Sequence, residues 1–383
     1  MKNNYFYKLL LIILLSFILR YGFYNIIHNE NIAVSSFSIV LVLAIGTFVV
    51  SMIAEIIEET TGILRHRTGL AGGLIQAVGT ALPDMIVGIT AAIMSIQALK
   101  VDYSLAINYA IIAASSTFGS NIWNIGFAAY CISRQNLANL RHKPTKFYPI
   151  FNSILINPMD DHKNRPKLIE VNTSIRIVTS LSVLTAVVAV LMVLFGRSTT
   201  PVGFSGELYG LKPIIGVVVF LSALFILYIF RKNHGGKEVA QNNAFGKLPT
   251  FLIWLTLLVC AASIFFTAET MVEAIGHACQ LLNIPVVLGG TLAGIIGCLA
   301  EMIVVYKFTI NPNGRIGDAV VGVAMDNIIT VIGASLVAIF GGIFLGGSSL
   351  IIIFVLILTV NIVLIWQISE LKDFFTDTNH FKD

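Results

Sequence analysis

The chain has 383 residues, of which 56% are hydrophobic and 11% charged, and its mean hydropathy is +0.87. Soluble domains carry about 25% charged residues, so a soluble globular protein is excluded and a polytopic membrane protein is defined. The net charge of +4 is modest, and basic runs are not interleaved with aromatic residues on a soluble module, which argues against nucleic-acid binding. Cys131, Cys260, Cys279 and Cys298 form no CxxC pair and read as buried thiols rather than disulfides or metal ligands.

Apolar runs long enough to cross about 30 Å of hydrocarbon lie near residues 7–27, 34–60, 70–97, 104–131, 174–196, 211–231, 249–280, 285–307, 316–344 and 349–368. The expected fold class is all-α, with about ten transmembrane helices. The first run lacks a small-residue cleavage site, which predicts a retained helix rather than a signal peptide. The run over 316–344 is long enough to be tilted or broken.

Basic residues concentrate in Arg65-His66-Arg67, in Arg134–Asn172 and in Arg231–Lys247. With both termini in the cytoplasm, all three stretches fall inside, and the loops left outside are poor in Lys and Arg. That distribution sets the orientation, although the same loops are able to hold anionic lipid headgroups. Short loops and the lack of a large regulatory domain suit a prokaryotic plasma membrane. The chain divides into an N-terminal half, 1–200, with a repeat at about 70–131 and a basic loop at about 132–172. The C-terminal half, 201–383, has its repeat at about 285–344.

The third run holds a carboxylate, Asp84, directly after Pro83 and far from either end. An ionisable side chain at that depth costs about 2.5–3.5 kcal/mol on insertion scales and marks a functional site by default. Displaced by 217 residues, Gly72-Gly73 falls on Gly289-Gly290, Met85-Ile86-Val87 on Met302-Ile303-Val304, and Asp84 on Glu301. The orientation rule runs these two copies in opposite directions, the inverted-repeat plan of transporters that bind substrate where the repeats meet.

A second polar helix follows each acid. Ala113–Ile125 carries Ser115, Ser116, Thr117, Ser120, Asn121 and Asn124; Gly317–Val331 carries Asp326, Asn327 and Thr330. Four-residue spacing puts Ser120 with Asn124, and Asp326 with Thr330, on one helix face. Such oxygens are what hard cations take as ligands. Pro83 disturbs the turn before it, which exposes carbonyls near Ala77 to an ion. A third matched element, Ala54-Glu55 with Glu59 and Ala268-Glu269 with Glu273, reads as interfacial anchoring or ion access. Asp318 is expected to cap its helix, the glycine pairs to permit close helix packing, and Ser115–Thr117 to bond between helices or to line the pathway.

This pattern resembles the calcium/cation antiporter superfamily, whose two inverted repeats read G-T-[ST]-x-P-[ED] and then G-S-N-x-x-[ND]. Gly79-Thr80-Ala81-Leu82-Pro83-Asp84 and Gly119-Ser120-Asn121-Ile122-Trp123-Asn124 match closely. Gly297-Cys298-Leu299-Ala300-Glu301 and Met325-Asp326-Asn327-Ile328-Ile329-Thr330 match more loosely. The resemblance implies that Asp84 and Glu301 are the principal ligands of a bound calcium ion. It implies that Thr80 contributes to flanking sodium sites, and that Ser120, Asn124, Asp326 and Thr330 line them. Its counterpart to Thr80 is Gly297, and Ala300 stands where the second proline belongs, so the second acid-bearing helix is expected to be the less kinked of the two.

The expected function is therefore secondary active antiport, Ca2+ against Na+, by alternating access at the midplane. Proton-coupled exchange, K+-dependent exchange and a transport-inactive exchanger-like protein are the alternatives. No cofactor is expected, and the expected partners are the transported cations and membrane lipid, with no nucleic acid. An intramembrane aspartyl protease, the enzyme reading that paired acids allow, lacks a partner Tyr-Asp in a hydrophobic span and leaves the inverted repeat unexplained.

Overall fold

The computed structural model describes residues 2–68, 72–149, 154–159, 168–200, 206–230, 248–310, 316–340 and 343–377. Of the three basic stretches, 231–247 and residues 150–153 and 160–167 of the second lie outside them. The chain is all-α in its membrane part. It begins with α1 (Lys2–Ile18), a π turn at Leu19–Phe23 and the short α2 (Tyr24–Ile27), together one span, then α3 (Ile32–Thr68), α4 (Gly72–Ala98), α5 (Tyr103–Arg141) and α6 (Leu168–Phe195). There follow α7 (Pro213–Phe230), α8 (Thr250–Leu282), α9 (Val286–Gly297), α10 (Leu299–Ile310), α11 (Ile316–Phe340) and α12 (Gly347–Asp377). Counting α9 and α10 as one interrupted span, the order is that of the ten apolar runs. Seven of the described helices are by themselves long and apolar enough to cross a membrane.

Local chemistry sets the ends. Asp102 caps α5 by accepting from the Ser104 and Leu105 amides at 2.8 and 3.2 Å, and His142 closes it in the left-handed conformation, φ 47°. Asn283 ends α8 in the same way, φ 51°, and Pro285 then opens α9. Helix α5 runs to Arg141, so the first ten residues of the segment read as a basic loop are helical. Helix α11 is neither broken nor as long as its apolar run, because Ile343–Gly346 leaves it to form a strand.

That strand, β5, was not legible in the sequence. With β3 (Arg197–Ser198) and β4 (Leu208–Leu211) it makes a three-stranded antiparallel sheet, in which Leu208 pairs with Gly346 and Leu211 with Ile343. A two-residue hairpin, β1 (Thr145–Lys146) with β2 (Leu155–Ile156), follows α5.

Packing divides the bundle unevenly. One continuous core joins α4, α5, α6, α7, α11 and α12. Helices α1, α3 and α8 share separate clusters, one with Ile12, Ile53, Ile57 and Ile264, the other with Leu19, Val42, Val50 and Met271. Only one face of α8, with Ala268, Val272, Ile275 and Cys279, joins the main core. Large apolar side chains on α7 and α12, such as Phe225 and Trp366, stand exposed, as expected of surfaces that meet lipid.

Candidate functional site

The site forms where the two repeats cross. Helix α4 supplies Asp84, which is buried, and its Oδ2 accepts from Ser120 Oγ of α5 at 2.6 Å. One turn along α5, Asn124 Nδ2 donates to Asp326 Oδ2 of α11 at 3.2 Å. Thr330 lies a turn beyond Asp326, donates to its backbone carbonyl at 3.2 Å, and also meets the Asp84 carboxyl. First-repeat side chains are thus partnered by second-repeat ones in both directions. Glu301 of α10 is buried, and the charges that act on it are those of Asp326 and then Asp84.

These groups are not all satisfied by protein. Among the described residues, Asp84 Oδ1, Glu301 Oε1 and Oε2, and Asn124 Oδ1 accept no hydrogen bond, although each is buried. Buried carboxylates without compensation are costly, and a set of bare oxygens from both repeats is the donor set of a hard cation. The donors do not yet close on one point. Among the described residues no three His, Cys, Asp or Glu side chains are placed to hold a single metal ion.

The break in the site lies opposite to where the motif puts it. Helix α4 continues through Pro83. The second-repeat helix, expected to be less kinked because Ala300 replaces the proline, is the one that is interrupted. Helix α9 stops at Gly297, Cys298 takes φ −94° and ψ 8°, and α10 restarts at Leu299. Glycines on the last turn before the interruption are packed against the first repeat. A Cβ on Gly294 would lie 2.6 Å from the Ser120 amide nitrogen, and one on Gly297 would lie 2.6 Å from Asp84 Oδ1. The backbone of α9 therefore leans into α4 and α5, and Cys298 Sγ, 3.6 Å from the Ile295 carbonyl, bonds to it in place of a helical amide. Glu301 then falls in the first turn of α10, where the positive end of the helix dipole favours a carboxylate.

Gly289 and Gly290 do permit close packing. A Cβ on Gly290 would meet Ser115 Oγ, and one on Gly289 would lie 2.5 Å from Cys279 Sγ. Ser115 and Thr117 bond back to carbonyls of their own helix, at 2.6 and 2.9 Å, rather than across to another. The side chains of Ala77, Thr80 and Asp318 lie outside the described ones, as do those of Gly72 and its neighbours on α4. All four cysteines are free and buried. Glu55 pairs with Lys8 at 3.0 Å and Glu269 with Arg20 at 2.8 Å, so the first acid of each copy of the third matched element meets a basic partner on the leading span.

No protein-family model matches the chain, and no curated protein matches it in sequence. Its fold is shared with solved structures of low sequence identity. A structure of the H+/Ca2+ exchanger CAX superimposes with a TM-score of 0.63 at 14% identity, over 100% of this chain and 90% of that one. The protein YfkE superimposes with a TM-score of 0.53 at 14% identity, over 88% of this chain and 90% of that one. The sodium-calcium exchanger NCX_Mj gives 0.48 at 16% identity, over 91% and 100%. The resemblance read in the motifs thus extends to the path of the whole chain.

Proposed function

We propose that this protein is a secondary active cation antiporter that carries a divalent ion, Ca2+ in the first instance, through the site between its repeats. It acts as a transporter rather than an enzyme, in a prokaryotic plasma membrane with both termini in the cytoplasm. The observation that carries this reading is the set of buried, unpartnered oxygens on Asp84, Glu301 and Asn124 at the crossing of the two repeats. Asp84, Glu301 and Asp326 supply charge; Ser120, Asn124 and Thr330 supply neutral oxygens, and Thr80 and the Ala77 carbonyl complete the set in the motif reading. Closing around the ion requires Ser120 and Asn124 to release the carboxylates they now hold. Access alternates as α3 and α8, which have clusters of their own, rock against the core.

Na+ is the coupling ion that the motif implies. Proton coupling is favoured by one observation: Gly297, the counterpart of Thr80, has its side-chain space filled by Asp84. The second hydroxyl of a symmetric pair of sodium sites has no room there, whereas carboxylates take up protons without it. Reconstitution in liposomes, with 45Ca2+ uptake measured against imposed Na+, K+ and H+ gradients, tests both. Uptake driven by Na+ supports the first reading and uptake driven by H+ the second. Absence of uptake under every gradient rejects antiport.

A further inference from the structure

The leading span carries Arg20, Tyr24 and His28 at four-residue spacing, and α8 carries Glu269, Glu273 and His277 at the same spacing. The two rows face each other. Arg20 pairs with Glu269 at 2.8 Å and lies 4.5 Å over the Tyr24 ring. His28 Nε2 meets Glu273 Oε1 at 3.0 Å, and its ring stands 5.1 Å from that of His277. A buried Ser16–Thr267 hydrogen bond at 3.1 Å extends the row toward the middle of the bundle. The other oxygen of Glu273 accepts from the Tyr109 hydroxyl of α5. One carboxylate, with 12% side-chain exposure, therefore ties together the leading span, the rocking helix α8 and the core helix α5.

We propose that this cluster is a proton-sensitive clasp that holds α8 against α5 at one end of the bundle, the end that the basic loops assign to the outside. The inference rests on the antiport reading for its consequence, since α8 has to part from α5 there to open that end. Glu273–Tyr109 is the contact that parts, and His28 sets its strength. Imidazole gains its charge between about pH 8 and pH 5. On gaining it His28 turns a neutral hydrogen bond to Glu273 into a charge-assisted one, which is roughly twice as strong. The other groups facing His28 are Tyr24 of its own span, 6.1 Å between rings, and His277 of α8. Arg20 and Glu269 pair with each other one turn away, and α3 contributes Ser35, bonded to the Ile27 carbonyl. Charge on the imidazole therefore tightens the clasp, and its loss loosens it.

The test compares wild type with His28→Gln, which cannot acquire charge, and with Glu273→Gln, which cannot attract it. Melting temperature in detergent and initial 45Ca2+ flux in liposomes are followed from about pH 8 to about pH 5.5, across the imidazole range. The expected result is that acidification raises the melting temperature of wild type relative to both variants, and slows wild-type flux several-fold more than theirs. Parallel melting profiles in all three proteins overturn the clasp. The melting arm needs no transport: a wild type that melts as expected yet carries no Ca2+ leaves the clasp standing and rejects the antiport reading.

Discussion

Gly297 has no room for a side chain because Asp84 occupies it: a Cβ there would stand 2.6 Å from Oδ1, 3.0 Å from Cα and 3.1 Å from Cβ of Asp84. The two residues sit on the acid-bearing helices of opposite repeats, so an asymmetry in the motif becomes a direct contact in the site. A rotamer change of Asp84 moves Oδ1 away but leaves the approaches to its Cα and Cβ, so the helices themselves must shift. Gly297→Ala is expected to cost about 1–3 kcal/mol, the usual range for overpacking, and to abolish ion flux by displacing Asp84. Melting temperature and 45Ca2+ uptake check this, and an alanine variant with unchanged flux would show that Asp84 has freedom to move.

Glu301 is buried with neither oxygen hydrogen-bonded among the described residues. Glu301→Gln removes the ionisable carboxyl and keeps the shape. Its flux is expected to fall at least about a hundredfold, equivalent to about 2.7 kcal/mol, while melting temperature stays level or rises. A fall in both would assign Glu301 to the scaffold. Asp84→Asn is expected to lose flux equally, but it weakens the Ser120 bond and so lowers stability slightly.

The Ser120–Asp84 bond at 2.6 Å and the Asn124–Asp326 bond at 3.2 Å join different helices. Ser120→Ala is expected to cost about 1.5–3 kcal/mol, the range for a hydrogen bond to a charged group. The double-mutant cycle of Asn124→Ala with Asp326→Ala is expected to show coupling of about 0.5–3 kcal/mol. Urea or thermal unfolding measures both, and strictly additive losses in the cycle would remove Asn124 from the partnership.

Ala300 is the second residue of α10, after the break at Cys298. Proline is tolerated in the first turn of a helix, where its missing N–H is not needed. Ala300→Pro, which restores the motif, is therefore expected to fold with a melting temperature within a few degrees of wild type and to retain flux. A proline placed at Ile303, deeper in α10, is expected to cost about 3 kcal/mol. Equal effects of the two would mean that the helix does not restart at Leu299.

The order of the spans could be read from the apolar runs, and Asp84 and Glu301, the acids placed inside two of those runs, are buried; an acid in an apolar run is rare enough to be informative. The position of the break could not be read. Proline was the visible signal, yet the break comes after Gly294 and Gly297, which pack against the first repeat, and no pattern along one helix contains its neighbour. The clasp left a trace that spacing alone would have revealed, two rows of three polar residues four apart, but their facing one another is tertiary information. Strands at 197–198, 208–211 and 343–346 were hidden because each is too short to show alternation.

That small sheet bears on how the bundle is free to move. By joining the segment after α6, the segment before α7 and the one between α11 and α12, it laces four helix ends together with backbone hydrogen bonds. Those helices are tethered at that rim like staves under a hoop. An aqueous path at that end has to widen on the opposite flank, beside α3 and α8, where no such lacing exists among the described residues.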